Sequence, residues 1–488
     1  MNREESISAR WVYVALLAFG LGFVLFPPRA FLVVDEERYV SQAMAFSAGR
    51  LTVPGAEILF PPTPTHVISN FPPGTSLLQA PLVWVGGWRA AALLSALALV
   101  CVTLIVMRWL RESGVSPAFA LVIPGFFGAS FFGRIAMSDV PSTALVAGAV
   151  YMIWLADGRR PWISMAAGFL AGATLLFREP PIVLLAPVLA GALLRRRCVP
   201  WALIAGLAAG LGLRLALSRL LFGSALYVRP SGYGFSVGAL AHSIPVYGCI
   251  LFAMFPGALL LPVFYRGPRR PELVSAVLLY TGLFLVYQYD SVRENGWAKG
   301  LILSSRYVVP MTPLLTFMAA HVLTDWYRRL REHWRRIAVI GVRLGAAYTI
   351  ALAFLVHPLA HLQEAVPLAI ITTVLQHTQA DVPVITNTNA TLKYFSPSYG
   401  ARKLVVRYAM NGDSAAAFTQ RFGHVNLVLL DRTDSEMFRE ETLANARFVN
   451  AMRVRCDVRS TADTVLGAWA HVRTYEVSRC TVPHPELP

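Results

Sequence analysis

Residues 31–51 read FLVVDEERYVSQAMAFSAGRL. They follow an apolar run that ends near Phe26 and set Asp35, Glu36 and Glu37 side by side, ahead of Arg38 and Tyr39. As structure, the stretch is a short amphipathic helix lying in a membrane interface. Asp35 is the expected N-cap, Glu36 and Glu37 suit the positive end of the helix dipole, and Gly49 is a natural stop. Tyr39, Val40, Ala43, Met44 and Phe46 form its apolar stripe. A helix does not need three clustered acids beside a membrane surface. A partly desolvated carboxylate there can act as general base on an acceptor hydroxyl or amine, with its neighbours positioning the acceptor, a divalent metal or an anion.

Outward from this stretch, apolar runs dominate. The 488 residues are 56% hydrophobic and 14% charged, whereas soluble domains carry about 25% charge. The expected fold class is a polytopic α-helical membrane protein with about 11 spans of roughly 20 residues or fewer. These cover about 11–27, 89–110, 117–133, 140–156, 162–177, 180–194, 199–221, 244–264, 273–289, 306–323 and 337–356. No cleaved signal peptide is expected. The net charge of +16 does not point to nucleic acid, because it sits in short clusters between apolar runs. These are Arg108/Arg111, Arg159/Arg160, Arg195–Arg197, Arg266/Arg269/Arg270 and Arg328–Arg336. That is the signature of cytoplasmic loops. It puts Arg134, Arg178, Arg229, Arg293, Lys299 and Arg306 on the outer face, together with the large first loop (28–88). Arginine far outnumbers the three lysines, at 299, 393 and 403, as in a GC-rich bacterial gene.

Two units are expected: a membrane domain, 1–356, and an outward-facing α/β domain, 357–488. In the second, VPVITNT (382–388) and VNLVLLD (425–431) read as buried parallel strands, and DSEMFREETLANARFVNAM (434–452) reads as a helix. Cys101, Cys198 and Cys249 belong to apolar runs, while Cys456 and Cys480 are candidates for a disulfide if this region is extracytoplasmic.

A second acidic position shares the outer face, in GRIAMSDVPSTAL (133–145). Asp139 either caps the following span or faces Asp35 across one cavity. Basic residues surround it: Arg134, Arg178 in LLFREPP, Arg306 in SSRYVVPMTP, and Arg214 and Arg219 inside a span, where charge is costly and usually functional. Each can snorkel to headgroups. Together they can hold a phosphate at the membrane surface.

In series, VVDEERY (33–39), GRL (49–51), FPPGTSLLQAP (71–81), SDVPSTAL (138–145) and SRYVVPMTPLL (305–315) resemble the GT-C glycosyltransferases, in particular the protein O-mannosyltransferase and lipid A aminoarabinose transferase group. The resemblance implies an inverting transfer of a sugar from a polyprenyl-phosphate donor to a lipid, glycan or protein acceptor. It makes Asp35 the candidate base, Glu36 its partner and Asp139 the second acid. Arg38, Tyr39, Arg134, Arg178, Arg214, Arg219, Arg306 and Tyr307 are then the candidate substrate-binding residues. It also implies a bacterial inner-membrane protein whose site faces the periplasm or cell exterior.

Three further signals are weaker. His357, His361 and Glu364 have the i, i+4, i+7 spacing of a metal triad, but Pro358 and the end of a span favour an interfacial helix. Asn389–Thr391 form a sequon. YVRPSGYGF (227–235) is an aromatic outer loop that lines a sugar site or acts as a flexible lid. The rival reading, a transporter or flippase for a lipid-linked substrate, calls for functional charges at the midplane or on both faces. The unusual acids lie on one face only.

Overall fold

The computed structural model describes residues 3–54, 66–67, 69–156, 160–195, 200–228, 233–388, 396–400, 403–407, 410–433, 436–466 and 470–481. Arg159, Arg196, Arg197, Cys198, Arg229 and the sequon at 389–391 fall outside them.

The first apolar run forms helix α1, Arg3–Leu25, and the acidic stretch forms helix α2, Val34–Ser47. The N-cap of α2 is Val33, not Asp35. Glu36 supplies the cap instead: its Oε1 accepts the N–H groups of Leu32 (2.7 Å) and Val33 (3.1 Å). A longer side chain reaches back to the orphan amides, so Asp35 is freed to point elsewhere in the first turn. The far end closes at Gly49, whose φ is +69°. Arg50 N–H donates to Ala45 O at 2.8 Å and Gly49 N–H to Phe46 O at 3.0 Å, the paired bonds of a Schellman stop. Tyr39, Val40 and Ala43 are buried, whereas Met44 lies at the exposed edge.

Among the described residues, four helices are long and apolar enough to cross a membrane: Trp88–Glu112, Trp201–Phe222, Val237–Met254 and Glu332–His377. Two bent pairs raise the number to six, Pro117–Gly125 with Phe127–Arg134 (66°) and Trp297–Ser305 with Val309–Arg329 (47°). Ala9–Leu25, Asp139–Leu155, Pro161–Leu176 and Ile182–Leu194 are apolar but shorter. The chain is thus an integral membrane protein, mostly helical. Helix length does not support the expected eleven full spans, because several apolar runs are bent or interrupted where the sequence reads as continuous.

Small residues let these helices approach closely. Gly168 and Gly172 of helix Pro161–Ala173 face Gly206 and Gly210 of helix Trp201–Phe222, and a Cβ at any of the four would run into the opposing backbone. This is the small-xxx-small packing by which helices associate in lipid.

The C-terminal part carries a five-stranded sheet: β1 Val384–Thr386, β2 Leu404–Val406, β3 His424–Arg432, β4 Asp457–Val465 and β5 Ala470–Ser478. The order is β2-β1-β3-β5-β4. β1 runs parallel to β2 and β3, while β5 is antiparallel to β3 and β4. The expected buried strands are β1 and β3, and the expected helix is Glu436–Arg453. Cys456 and Cys480 are joined in a disulfide. Val425, Leu427, Phe418, Phe448 and Met452 form this unit's core with the disulfide beside it.

Candidate active site

The first turn of α2 is clamped to the segment that precedes helix Asp139–Ala156. Glu36 Oε2 accepts the Ala136 N–H at 3.0 Å. Tyr39 Oη lies 2.7 Å from Ser138 Oγ, and Ser76 Oγ donates to Tyr39 O at 2.9 Å. Glu36 and Tyr39 are therefore both buried structural anchors. Burial pushes the Glu36 carboxyl up from 4.5 to about 7, opposed by the amides of Ala136, Val33 and Leu32 and by the charge of Arg134.

This clamp sets the two acidic positions into one array. Asp35 Oδ2 accepts from Arg306 Nη1 at 2.9 Å, and the Asp35 side chain keeps 27% of its surface open to solvent. Arg306 Nη2 donates to Tyr307 Oη at 2.8 Å. The Tyr307 ring is flanked by two guanidinium groups, Arg306 at 4.9 Å and Arg178 at 5.2 Å from its centroid. Arg178 pairs in turn with the fully buried Asp139. The sequence allowed Asp139 to face Asp35 across a cavity. The structure instead links them through Arg306, Tyr307 and Arg178.

Arg214 stands one step away. It is buried, donates to Ser218 Oγ (2.6 Å) and Tyr227 O (3.0 Å), and bonds Glu179 at 3.3 Å, next to Arg178. Arg219 is outside the array: its Nη1 donates to Gly223 O at the end of its own helix. Arg38 is exposed and lies beside Glu37.

Arg134 is displaced from its expected role. Its side chain is fully buried, with Nη1 at 2.6 Å from Glu364 Oε1 and Nη2 donating to Phe26 O at 3.2 Å. Glu364, also fully buried, accepts the Arg29 N–H at 3.1 Å and lies 3.4 Å from His361 Nδ1. A guanidinium enclosed in this way meets no solvent-borne anion. The same contacts dissolve the metal triad: His357 packs against Phe19 and Phe23, while Glu364 is committed to two arginines.

A divalent metal does not fit the acidic turn. Asp35 turns to Arg306, Glu36 to three backbone amides, and Glu37 to Ser41 (3.0 Å) and Arg38. Among the described residues no group of three or more His, Cys, Asp or Glu side chains is placed to hold a metal ion.

The structure adds residues the sequence did not single out. Phe284 stacks on Tyr307 at 4.6 Å, and Tyr287 and Tyr289 lie at 5.9 and 6.2 Å. Their signal was present in VYQYD (286–290), two tyrosines alternating at the end of an apolar run.

No protein-family model matches the chain, and no curated protein matches it in sequence. Solved structures do. ArnT from Cupriavidus metallidurans in the apo state aligns at TM-score 0.60 and 15% identity over 97% of this chain and 98% of that one. The same protein bound to undecaprenyl phosphate aligns at 0.57 and 15% over 96% and 97%. The arabinofuranosyltransferase AftD from Mycobacteria aligns at 0.50 and 16% over 96% of this chain and 40% of that one. The chain has the GT-C fold of these glycosyltransferases.

Proposed function

We propose that the chain is an inverting glycosyltransferase that moves a sugar from a polyprenyl-phosphate donor to an extracytoplasmic acceptor, with Asp35 as general base. The observation that carries this reading is the array Asp35–Arg306–Tyr307–Arg178–Asp139. It joins an accessible carboxylate to two guanidinium groups at the ends of apolar helices. The fold shared with ArnT, crystallised with undecaprenyl phosphate, supports a lipid-phosphate donor.

In this mechanism Asp35 takes the proton of an acceptor hydroxyl or amine. The acceptor atom bonds to the anomeric carbon as the bond from that carbon to the phosphate oxygen breaks. Polyprenyl phosphate leaves with its electron pair, and Arg306 stabilises the charge it gains, with Arg178 behind it. Tyr307 holds the Arg306 fork in plane. Asp139 fixes Arg178 and does not touch substrate. Residues 1–356 carry this chemistry. The site faces the exterior of a bacterial inner membrane. The alternative, a lipid-linked substrate transporter, has no specific observation in its favour, because the charged array gathers in one place beside an accessible acid.

The test is donor binding to the detergent-solubilised protein. Arg306→Ala should weaken binding of polyprenyl phosphate by about 1.5–3 kcal/mol, the size of a charge-assisted contact. Unchanged affinity in this variant would move the phosphate site away from the array.

A further inference from the structure

Beside the charged array stands an aromatic surface that the mechanism does not use. Residues 233–236 run against 286–288 as a short two-stranded flap: Ser236 N–H donates to Val286 O at 2.7 Å, and Gln288 N–H to Gly234 O at 3.0 Å. The flap carries Tyr233, which meets Tyr289 edge-on at 5.0 Å between centroids, and Phe235, which lies 5.5 Å from Tyr287. Tyr233 and Phe235 are 40% and 61% exposed. Tyr289 reaches the reaction centre, because the Arg306 guanidinium lies over its ring at 5.7 Å. Two partly open rings thus continue outward from the guanidinium that bonds Asp35.

The flap is tied by side chains as well: Gly234 N–H donates to Gln288 Oε1 at 3.1 Å, and Tyr233 makes a polar latch. Tyr233 Oη donates to Glu294 Oε1 at 2.5 Å. Glu294 sits on the short helix Ser291–Asn295, capped by Asp290, whose carboxylate accepts the Arg293 N–H at 3.0 Å. That helix packs against helix Glu436–Arg453 of the C-terminal unit. The element backing the latch therefore belongs to the part of the chain farthest in sequence from the catalytic acid.

We propose that Tyr289 and Tyr233 form the wall that recognises the sugar of the lipid-linked donor, and that the Tyr233–Glu294 latch, backed by helix Glu436–Arg453, sets which sugars are accepted. The inference rests on the glycosyltransferase reading above. A sugar ring presents an apolar C–H face with a rim of hydroxyls. Tyrosine rings with polar edges beside a carboxylate offer the matching surface, apolar body and polar handle together. A polyprenyl tail would need neither the phenol groups nor Glu294. Tyr307 cannot serve this purpose, because it is buried against Phe284.

The experiment compares two probes on the full-length protein in detergent: bare polyprenyl phosphate, and polyprenyl phosphate carrying a hexose, a pentose or an amino sugar. Tyr289→Ala should lower affinity for the preferred glycosylated lipid by about tenfold or more while leaving bare polyprenyl phosphate within about twofold; Tyr289→Phe should retain most of the affinity. Tyr233→Phe and Glu294→Ala, which release the latch and keep the ring, should narrow the affinity differences among the three glycosylated lipids. Equal losses on bare and glycosylated lipids would overturn the wall, as would unchanged affinity for both in Tyr289→Ala and Tyr233→Ala. Wild-type protein that binds neither probe would fail the donor reading itself, and this inference with it.

Discussion

Arg306 Nη1 lies 2.9 Å from Asp35 Oδ2, although 271 positions separate the two residues. The pair brings the acidic first turn of α2 to the bend between helices Trp297–Ser305 and Val309–Arg329. It unites in one contact the group that can accept a proton and a group that can hold a departing phosphate.

Asp35 is the first prediction. Val33 caps α2 and Glu36 satisfies the end amides, so Asp35→Asn leaves the helix intact. Sugar transfer should nevertheless fall about 10²–10⁴-fold, the usual contribution of a positioned acid–base group. Donor affinity should change little. A variant with near-normal turnover would rule out Asp35 as the base.

Arg178 and Asp139 should behave as one unit. Arg178→Ala strands a fully buried carboxylate, a defect that costs about 3–5 kcal/mol. The double variant Arg178→Ala/Asp139→Asn should be more stable than Arg178→Ala alone, since no unpaired charge then remains. Thermal unfolding of the four proteins gives the coupling directly. Strictly additive effects would contradict the pairing.

For Arg134, the expected effect is on stability and not on substrate binding. Its guanidinium is enclosed with Glu364. Arg134→Ala and Glu364→Ala should each lower the melting temperature, and each should leave the donor KM of the surviving protein near wild type. A raised KM at unchanged stability would return Arg134 to the substrate site.

Glu36 predicts a pH dependence. It binds a proton more readily when folded, at about 7, than when unfolded, at 4.5. Between these values the folded chain holds the extra proton, so stability falls as pH rises. The contribution is fully present below 4.5 and lost above 7, and it amounts to about 3 kcal/mol. Glu36→Gln should flatten this slope, while leaving one of the three amides unbonded at a cost of about 1–3 kcal/mol. Melting curves from pH 5 to 8 read both effects, and an unchanged slope in the variant would rule out Glu36 as its source.

Arg219 serves as the contrast to Arg306. It bonds only the carbonyl of Gly223 at its own helix end among the contacts described. Arg219→Ala should leave polyprenyl phosphate affinity within about twofold. A loss equal to that of Arg306→Ala would extend the phosphate site along helix Trp201–Phe222.

By itself, the sequence determined what local composition can determine. Apolar runs forced helices into a membrane, because a backbone in lipid must bond within its own segment. Gly49 stopped α2, since only a residue tolerant of positive φ closes that turn. Alternating and continuous apolar stretches marked β1 and β3, and the order of motifs pointed to the GT-C fold. Asp35, Asp139, Arg178 and Arg306 were legible as candidates, because charge beside apolar sequence is rarely idle, and Tyr307 came only with the motif SRYVVPMTPLL. Tertiary structure alone decided which of them meet. The bend at Phe126 and the clamp of Glu36 and Tyr39 on Ala136 and Ser138 turned Asp139 toward Arg178. The same segment turned Arg134 the other way, into Glu364, a partner 230 residues downstream that the sequence placed on an interfacial helix. Side-chain direction at a helix end depends on a few degrees of backbone and on partners far along the chain, and residue type carries neither.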